Sequence, residues 1–459
     1  MKLLTGLFNR IVLQRNARNV SDVLVTGTAS MNGPIRITAH RGSRRLAGFT
    51  DKLAGKSSRG IFRIRLAGLP AGGPYTLTLR LTNHSGQTLD SIVVNDVLVG
   101  DVWLLGGQSN MEGIGLIKAA TKADPLVRAF YMNDRWAPAR DPIHNLWQAI
   151  DPIHTSLNGG NRPVRNPICG VGPGVAFGQA MRAFTGVPQG LIACAHGGTS
   201  MSQWDPALRN KNGHSLYGAL CRRLRMNGGK VAGLIWYQGC SDADNQNAPL
   251  YTPRMKALVR AVRRDTGNRA LPIVMAQISR VVSWAQDEAA WDSIRDQQRR
   301  LPGTCRNLAV VPTIDLKLDD PIHIAGIDQA RLGKRLAQTM NVLRGGAAAG
   351  KPPITLDSAT CGVYRTRIVV TVNFRNVAGA LRSGSRPWGF TVIGPTGADT
   401  IIDVALQGNR AIIMTTLPRS QARDLTLSYG HGFNPYCNVT DEADRSVPAF
   451  GPIPLDVSC

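Results

Sequence analysis

The stretch Val97–Gly113, VLVGDVWLLGGQSNMEG, decides how this chain folds. Its first part, VLVGDVWLLGG, is a short apolar run that ends at paired glycines, and it reads as a buried strand. The strand runs into a Gly-rich turn that holds Ser109. In open parallel sheets, ligands sit beyond the carboxyl ends of the strands. A serine in such a turn is exposed, and a following helix can aim backbone N–H groups near its oxygen. The pattern is not the G-x-S-x-G elbow, because Met111 occupies the last position, so an α/β-hydrolase fold is disfavoured.

Further short apolar runs follow: VRAFYMN, GLIACAH, VAGLIWYQG, LPIVMAQISRV and LAVVPTIDL. Helical patterns alternate with them, among them GPGVAFGQAMRAFTG, SLYGALCRRLRMNGG, TPRMKALVRAVRRDTG and GIDQARLGKRLAQTM. Several end at Gly, as helices often do. Strand alternating with helix predicts an α/β domain over 98–345, a parallel sheet with helices on both faces. Upstream, 1–97 carries alternating β-branched runs such as DVLVTGTA and YTLTLRLTN, separated by turn signals, and predicts an N-terminal β-sandwich-like domain. GGAAAGKPPIT (345–355) reads as a linker. Strand patterns return after it, so 346–459 is expected to be a C-terminal β-rich, sandwich-like domain.

Three more loops leave strand ends near Ser109. They are AHGGTSMSQW (195–204), WYQGCSDAD (236–244) and DLKLDDPIH (315–323). Together they offer backbone amides, a side-chain amide and an Asp–His pair, the parts of acyl-transfer catalysis. The tetrapeptide DPIH occurs three times, at Asp141–His144, Asp151–His154 and Asp320–His323. The third copy follows a strand and precedes a helix, so its loop shares the sheet's carboxyl edge with Ser109. An Asp bonded to Nδ1–H of that His fixes the tautomer for general-base work.

The first two copies lie in a long irregular insertion, of the kind that forms lids or binding loops. His144 and His154 are therefore candidates for the substrate cleft, against the plainer reading that Asp-Pro only starts a turn there. His196 is a candidate for substrate contact or for a structural hydrogen bond. Trp204 is a candidate for stacking on a sugar face. Trp236 reads as core, and Met111 and Glu112 read as a first helical turn. Cys240 as a nucleophile is set aside, because no His follows it at a suggestive place.

The chain has 459 residues, with 54 Lys and Arg against 30 Asp and Glu, a net charge of +24. Such a charge draws polyanions, but the basic residues are spread along the chain. No nucleic-acid motif or aromatic–basic stripe accompanies them, so no nucleic-acid partner is expected. No window reaches the ~18 apolar residues of a membrane span, so no membrane partner is expected either. Arg10 and Arg15 interrupt the N-terminal apolar stretch, and no signal peptide is read there. Compartment and oligomeric state stay open. The eight cysteines form no C-x-x-C pair, and no zinc site is expected. One disulfide among Cys361, Cys437 and Cys459 is compatible with secretion.

The chain resembles the SGNH hydrolases of the sialate O-acetylesterase type, which are carbohydrate esterases. The likeness rests on VLQR near residue 12, VGDVWLLGGQSNM, GVGPGVAFGQAM, PQGLIACAHGGTSMSQW, GLIWYQGCSDA and IHIAGIDQARLGKRLA, in that order over roughly 10–340. It implies a flavodoxin-like central sheet and Ser109 as nucleophile. It also implies His323 as base with Asp320 as its orienter. The implied oxyanion hole is built from Ser109 N–H, Gly198 and Gln238. No metal or cofactor is implied. The implied substrate is an O-acetylated carbohydrate, either a sialic acid ester or an acetylated plant polysaccharide such as xylan. The family usually has Glu where this chain has Cys240, which puts loop anchoring or substrate contacts at that point in doubt. Rival readings are a non-catalytic carbohydrate-binding protein on an esterase scaffold and a phospholipase or thioesterase.

Overall fold

The computed structural model describes residues 1–282, 287–346, 350–421 and 424–455. Part of the expected linker, 347–349, and Cys459 lie outside these residues. The central element is a 20-residue strand, β1 (Thr88–Gly107). Along its first half burial alternates, as on a sheet with one solvated face. From Val97 onward every residue is buried, as in a strand covered on both sides. The expected boundary at 97/98 therefore falls inside one continuous strand. The change of period there marks a change of burial, not a break in the chain.

Parallel neighbours flank the buried half of β1. They are β2 (Val127–Phe130), β3 (Gln189–Ala193), β4 (Gly233–Tyr237), β5 (Ile273–Ala276) and β6 (Leu308–Val311). The hydrogen-bonded order is β2-β3-β1-β4-β5-β6. The order reverses at β1, so a crevice opens at its carboxyl end between the loops that leave β3 and β4. Helix α1 (Ser109–Glu112) follows β1 directly, and α2 (Gly174–Thr185) precedes β3. The connections β3 to β4, β4 to β5 and β5 to β6 carry α3 (Leu216–Met226), α4 (Tyr251–Asp265) and α5 (Glu288–Arg300). All three advance the same way, and right-handed crossovers put their helices on one face. Helix α6 (Gly326–Leu343) leaves β6 and packs on α2. Gly333 permits that approach: a Cβ there would lie 2.5 Å from the Pro173 carbonyl oxygen.

The N-terminal strands form an antiparallel sheet that joins the central sheet through β1, and the apolar residues of both share one core from Leu7 to Met340. Residues 355–454 form a four-stranded and a three-stranded antiparallel sheet with a small two-stranded ribbon. A separate apolar cluster, including Ile368, Val370, Phe374, Ile413 and Leu427, fills the space between. Buried side chains tie this region to the central one. Gln277 bonds both the N–H and the carbonyl of Ala449, and Arg295 donates to the carbonyls of Gly430 and Gly432. Among the described residues no helix is long and apolar enough to cross a membrane.

Candidate active site

Strand β1 ends at Gly107, whose φ of +129° and closeness to β4 exclude a side chain: a Cβ would fall 2.1 Å from the Tyr237 carbonyl oxygen. The turn that follows presents Ser109 at the first position of α1, 9% exposed. The polar residues around it each reach a different loop. Gln108 accepts from the N–H groups of Gly239 (3.0 Å) and Ser241 (3.4 Å). Asn110 accepts from Ile324 N–H (2.9 Å) and donates to the Ile322 carbonyl (3.3 Å), so it grips the chain on both sides of His323. Glu112 accepts from Gly197 N–H at 2.6 Å. The Ser109 turn is thus the hub on which the loops after β3, β4 and β6 converge. Sequence reasoning singles out Ser109 and misses these three side chains. The available signal is the run of polar residues at 108, 110 and 112 just past an otherwise apolar strand end.

The three DPIH copies have different fates. Asp320 places Oδ2 2.6 Å from Nδ1 of His323, while its Oδ1 accepts from the N–H groups of Ile322 and His323. Desolvation pushes the Asp320 pKa up. The hydrogen bonds from the Ile322 N–H and from the His323 ring and N–H outweigh it, and the carboxyl sits below its ordinary value. Its neighbour Asp319 pins the same loop by accepting from Leu116 N–H (2.9 Å) and Gly326 N–H (2.7 Å). In the second copy, Asp151 is held by Arg222 at 2.6 and 2.8 Å and leaves its own His154 alone. In the first, Asp141 accepts from Gly172 N–H at 3.4 Å, and burial raises its carboxyl to about 7. His144 turns instead to the Glu112 carbonyl oxygen, 3.1 Å from Nδ1.

His144 and His154 are 3% and 1% exposed, so the cleft-lining role expected of them is not met. His154 stacks on His196, with ring planes 5° apart and Nδ1 atoms 2.8 Å apart. One Nδ1 must donate and the other accept, so the pair holds complementary tautomers. Burial pushes the His196 pKa down to about 4 and that of His154 down as well. His196 thereby serves as a structural neighbour of the glycine loop. Trp204 is fully buried, edge-on to Trp236 at 5.0 Å, and donates from Nε1 to Thr199 Oγ1 at 3.0 Å. The face expected to stack on a sugar is committed to the core. Cys240 is buried and its thiol is pushed up to about 12 by desolvation, so it is a protonated packing residue.

The glycine loop lies against Ser109. A Cβ on Gly197 would be 3.3 Å from Ser109 Cβ. Gly198 is exposed, with φ +66°, and open space surrounds the position of a side chain. Its N–H and that of Ser109 have no hydrogen-bond partner among the described residues. The expectation for Gln238 needs correction. Its side chain is fully buried, and Nε2 donates to the Thr199 carbonyl (3.1 Å) and to Asp242 Oδ2 (2.5 Å). Both amide hydrogens are committed, so Gln238 braces the loop that follows Gly198 and has none left for an oxyanion. Among the described residues no three His, Cys, Asp or Glu side chains cluster as a metal site.

Comparison with known proteins bears on these loops. The human sialate O-acetylesterase is 24% identical over 331 residues, covering 63% of this chain and 59% of that protein. A probable carbohydrate esterase of Arabidopsis thaliana is 29% identical over 260 residues, covering 52% of this chain and 88% of that one. A carbohydrate acetylesterase from Xanthomonas citri has the same fold, with a TM-score of 0.72 at 23% identity over 98% of each chain. The family model described as carbohydrate esterase, sialic acid-specific acetylesterase, matches residues 99–342. That match covers more than half of the chain and runs from the buried half of β1 to the last turn of α6, through each of these loops. The chain therefore belongs to the sialic acid-specific acetylesterase family of carbohydrate esterases, and it is a carboxylic ester hydrolase.

Proposed function

We propose that this chain is a serine esterase that removes O-acetyl groups from carbohydrates through Ser109, His323 and Asp320. Ser109 Oγ attacks the acetyl carbonyl while Nε2 of His323 takes its proton. Asp320 on Nδ1 holds the tautomer and stabilises the imidazolium. The tetrahedral oxyanion is met by the N–H groups of Ser109 and Gly198, which are otherwise unengaged among the described residues. His323 returns its proton to the sugar oxygen, the C–O bond breaks, and the acetyl group stays on Ser109. Water, deprotonated by His323, then releases acetate. The observation that carries this reading is the grip of Asn110 on both sides of His323, next to Ser109, in the one DPIH copy whose Asp bonds its own imidazole.

Substrates to assay are O-acetyl sialic acid, acetylated xylan, acetylated pectin and an aryl acetate. The order of rates on them separates a sialate esterase from a plant-polysaccharide esterase. Ser109→Ala and His323→Ala are expected to lose on the order of 10⁴–10⁶-fold in kcat. His144→Gln and His154→Gln, if folded, keep turnover. Near-wild-type acetate release from Ser109→Ala overturns the proposal. Glycan binding by a wild type inert on every ester favours the non-catalytic scaffold.

A further inference from the structure

Gly198 is exposed, with open space where a side chain would be, so neither packing nor a side chain of its own fixes its N–H. The direction of that N–H is set by the ties on either side. On the near side Glu112 holds Gly197 N–H at 2.6 Å. On the far side the ties lead to one fully buried carboxylate, Asp242. Its Oδ2 accepts from Met201 N–H at 2.8 Å and from Gln238 Nε2 at 2.5 Å. The same Nε2 donates to the Thr199 carbonyl at 3.1 Å. Asp242 thus holds the loop after β3 on both sides of Ser200, directly at Met201 and through Gln238 at Thr199, the residue next to Gly198. The Thr199 carbonyl and the carboxylate both accept, which fixes the Gln238 amide with its nitrogen toward them.

The frame behind Asp242 is itself anchored. The Gln238 carbonyl accepts from Tyr251 Oη (3.1 Å) and Gln298 Nε2 (2.9 Å). Asp242 N–H closes a turn onto the Gly239 carbonyl (3.1 Å), and Gly239 N–H bonds Gln108 (3.0 Å), beside Ser109. Arg254 of α4 stands 3.5 Å from Asp242 Oδ1. Position 240, where the family usually has Glu, carries a protonated thiol here, and the carboxylate of this loop that reaches the glycine loop is at 242. Desolvation raises the pKa of Asp242 in spite of its donors, so a neutral group of the same shape suits the position.

We propose that Asp242 is a positioning residue for the esterase reaction: through Met201 N–H and Gln238 it aims the Gly198 N–H at the oxyanion that forms on Ser109. The inference rests on the esterase reading above and deepens it. A donor that is slightly misplaced still admits the planar substrate carbonyl but fails the tetrahedral oxyanion. The loss therefore falls on kcat and not on KM.

Steady-state kinetics on an aryl acetate, with circular dichroism as a fold control, compare wild type, Asp242→Ala, Asp242→Asn and Gln238→Met. Asp242→Ala is expected to lower kcat by about 10- to 100-fold, with KM within about 2-fold of wild type. Asp242→Asn keeps an oxygen for Met201 N–H and Gln238, and should stay within about 3-fold of wild type. Gln238→Met fills the space without the two donors and should lose about 10-fold in kcat. The double variant Gln238→Met/Asp242→Ala should fall no further than Asp242→Ala alone, because both act through one tie. A phenylboronic acid, which adds to Ser109 as a tetrahedral anion, should lose affinity by the same factor as kcat. If Asp242→Ala does not fold, a wild-type-like Asp242→Asn beside an impaired Gln238→Met supports the proposal, and an unimpaired Gln238→Met overturns it. Unaltered kcat in folded Asp242→Ala overturns it, as does a loss confined to KM. So does a loss in Asp242→Asn as large as in Asp242→Ala, or a boronate affinity that holds while kcat falls. Each of these leaves the esterase reading standing. If wild type cleaves no ester, both readings fall.

Discussion

Replacing Glu112 by Gln separates two roles that its carboxyl plays at once. Oε2 holds Gly197 N–H at 2.6 Å, and desolvation lifts the carboxyl from 4.5 to about 7. That rise corresponds to a preference for the neutral form of about 3 kcal/mol. The folded-state pKa is raised, so the contribution to stability is fully present below pH 4.5 and is lost as pH climbs to about 7. Glu112→Gln keeps an acceptor of the same shape and cannot ionise. Wild type should therefore lose about 3 kcal/mol against this variant between about pH 4.5 and pH 7.5, and nothing more above that. Urea unfolding followed by tryptophan fluorescence at several pH values reads the difference, and every other titrating group cancels in it. Glu112→Ala removes the acceptor and should cost about 1.5–3 kcal/mol. It should also lower kcat on an aryl acetate by about 10- to 100-fold, because the glycine loop is no longer held against Ser109. A gap between wild type and Glu112→Gln that is the same at pH 5 and pH 8 would refute this account of the carboxyl.

Asn110→Ala should leave the fold intact and lower kcat by about 10- to 100-fold with little change in KM, since it frees the loop on both sides of His323. Steady-state kinetics with a circular-dichroism control checks this, and unaltered kcat would detach Asn110 from the site. Trp204→Phe should cost about 1–3 kcal/mol through lost volume and the lost bond to Thr199. Its KM on sugar esters should not move, and a large rise confined to sugars would return Trp204 to the cleft. With the Cys240 thiol at about 12, only about one molecule in 10⁴ is thiolate at pH 8. Native protein should then keep its activity under iodoacetamide, and Cys240→Ser should remain active. Inactivation blocked by that substitution would reopen the role of this residue.

Local pattern is enough to read part of this site. The apolar run up to Gly107 requires a buried strand, and the Gly-rich turn beyond it puts Ser109 at that strand's carboxyl end, but the serine the pattern exposes is buried, at 9%. The third DPIH can be chosen because its flanks have strand and helix periods. What escapes depends on partners distant in sequence. Asn110 meets Ile324 across 214 residues, and the polar run at 108, 110 and 112 marks Asn110 without naming that partner. Trp204 lies beyond an exposed glycine loop, where neighbours in sequence suggest solvent. Its burial comes from Trp236 and Thr199, and the Trp236 contact crosses to the end of another strand. Gln238 looks like a free amide in sequence, because the demand of Asp242, four residues on, depends on a turn that folds it back. The expected division at 97/98 falls within one strand for a related reason. A pattern reports burial on each side of a strand, and β1 passes from one environment to another without ending.

The three copies of one tetrapeptide show what selects a hydrogen-bonded Asp–His pair. Asp-Pro-Ile-His has the same intrinsic reach each time, so the outcome is set by what competes for the carboxylate. A guanidinium offers two parallel charge-assisted bonds, and a neutral imidazole offers one. Where Arg222 stands within reach, Asp151 goes to it and His154 turns to another histidine. Where Asp141 is buried beside the Gly172 N–H, desolvation raises its pKa, and His144 finds a backbone carbonyl instead. Asp320 has no Lys or Arg within 4.0 Å among the described residues, and its one salt-bridge partner there is His323. In a chain this rich in arginine, a carboxylate left to its own imidazole requires the cations around it to be engaged elsewhere or held off. Asp315 and Asp444 engage Arg331 and Arg335 of α6. Two Asp side chains outside the proposed triad thus hold the guanidinium groups of Arg331 and Arg335 in ion pairs of their own.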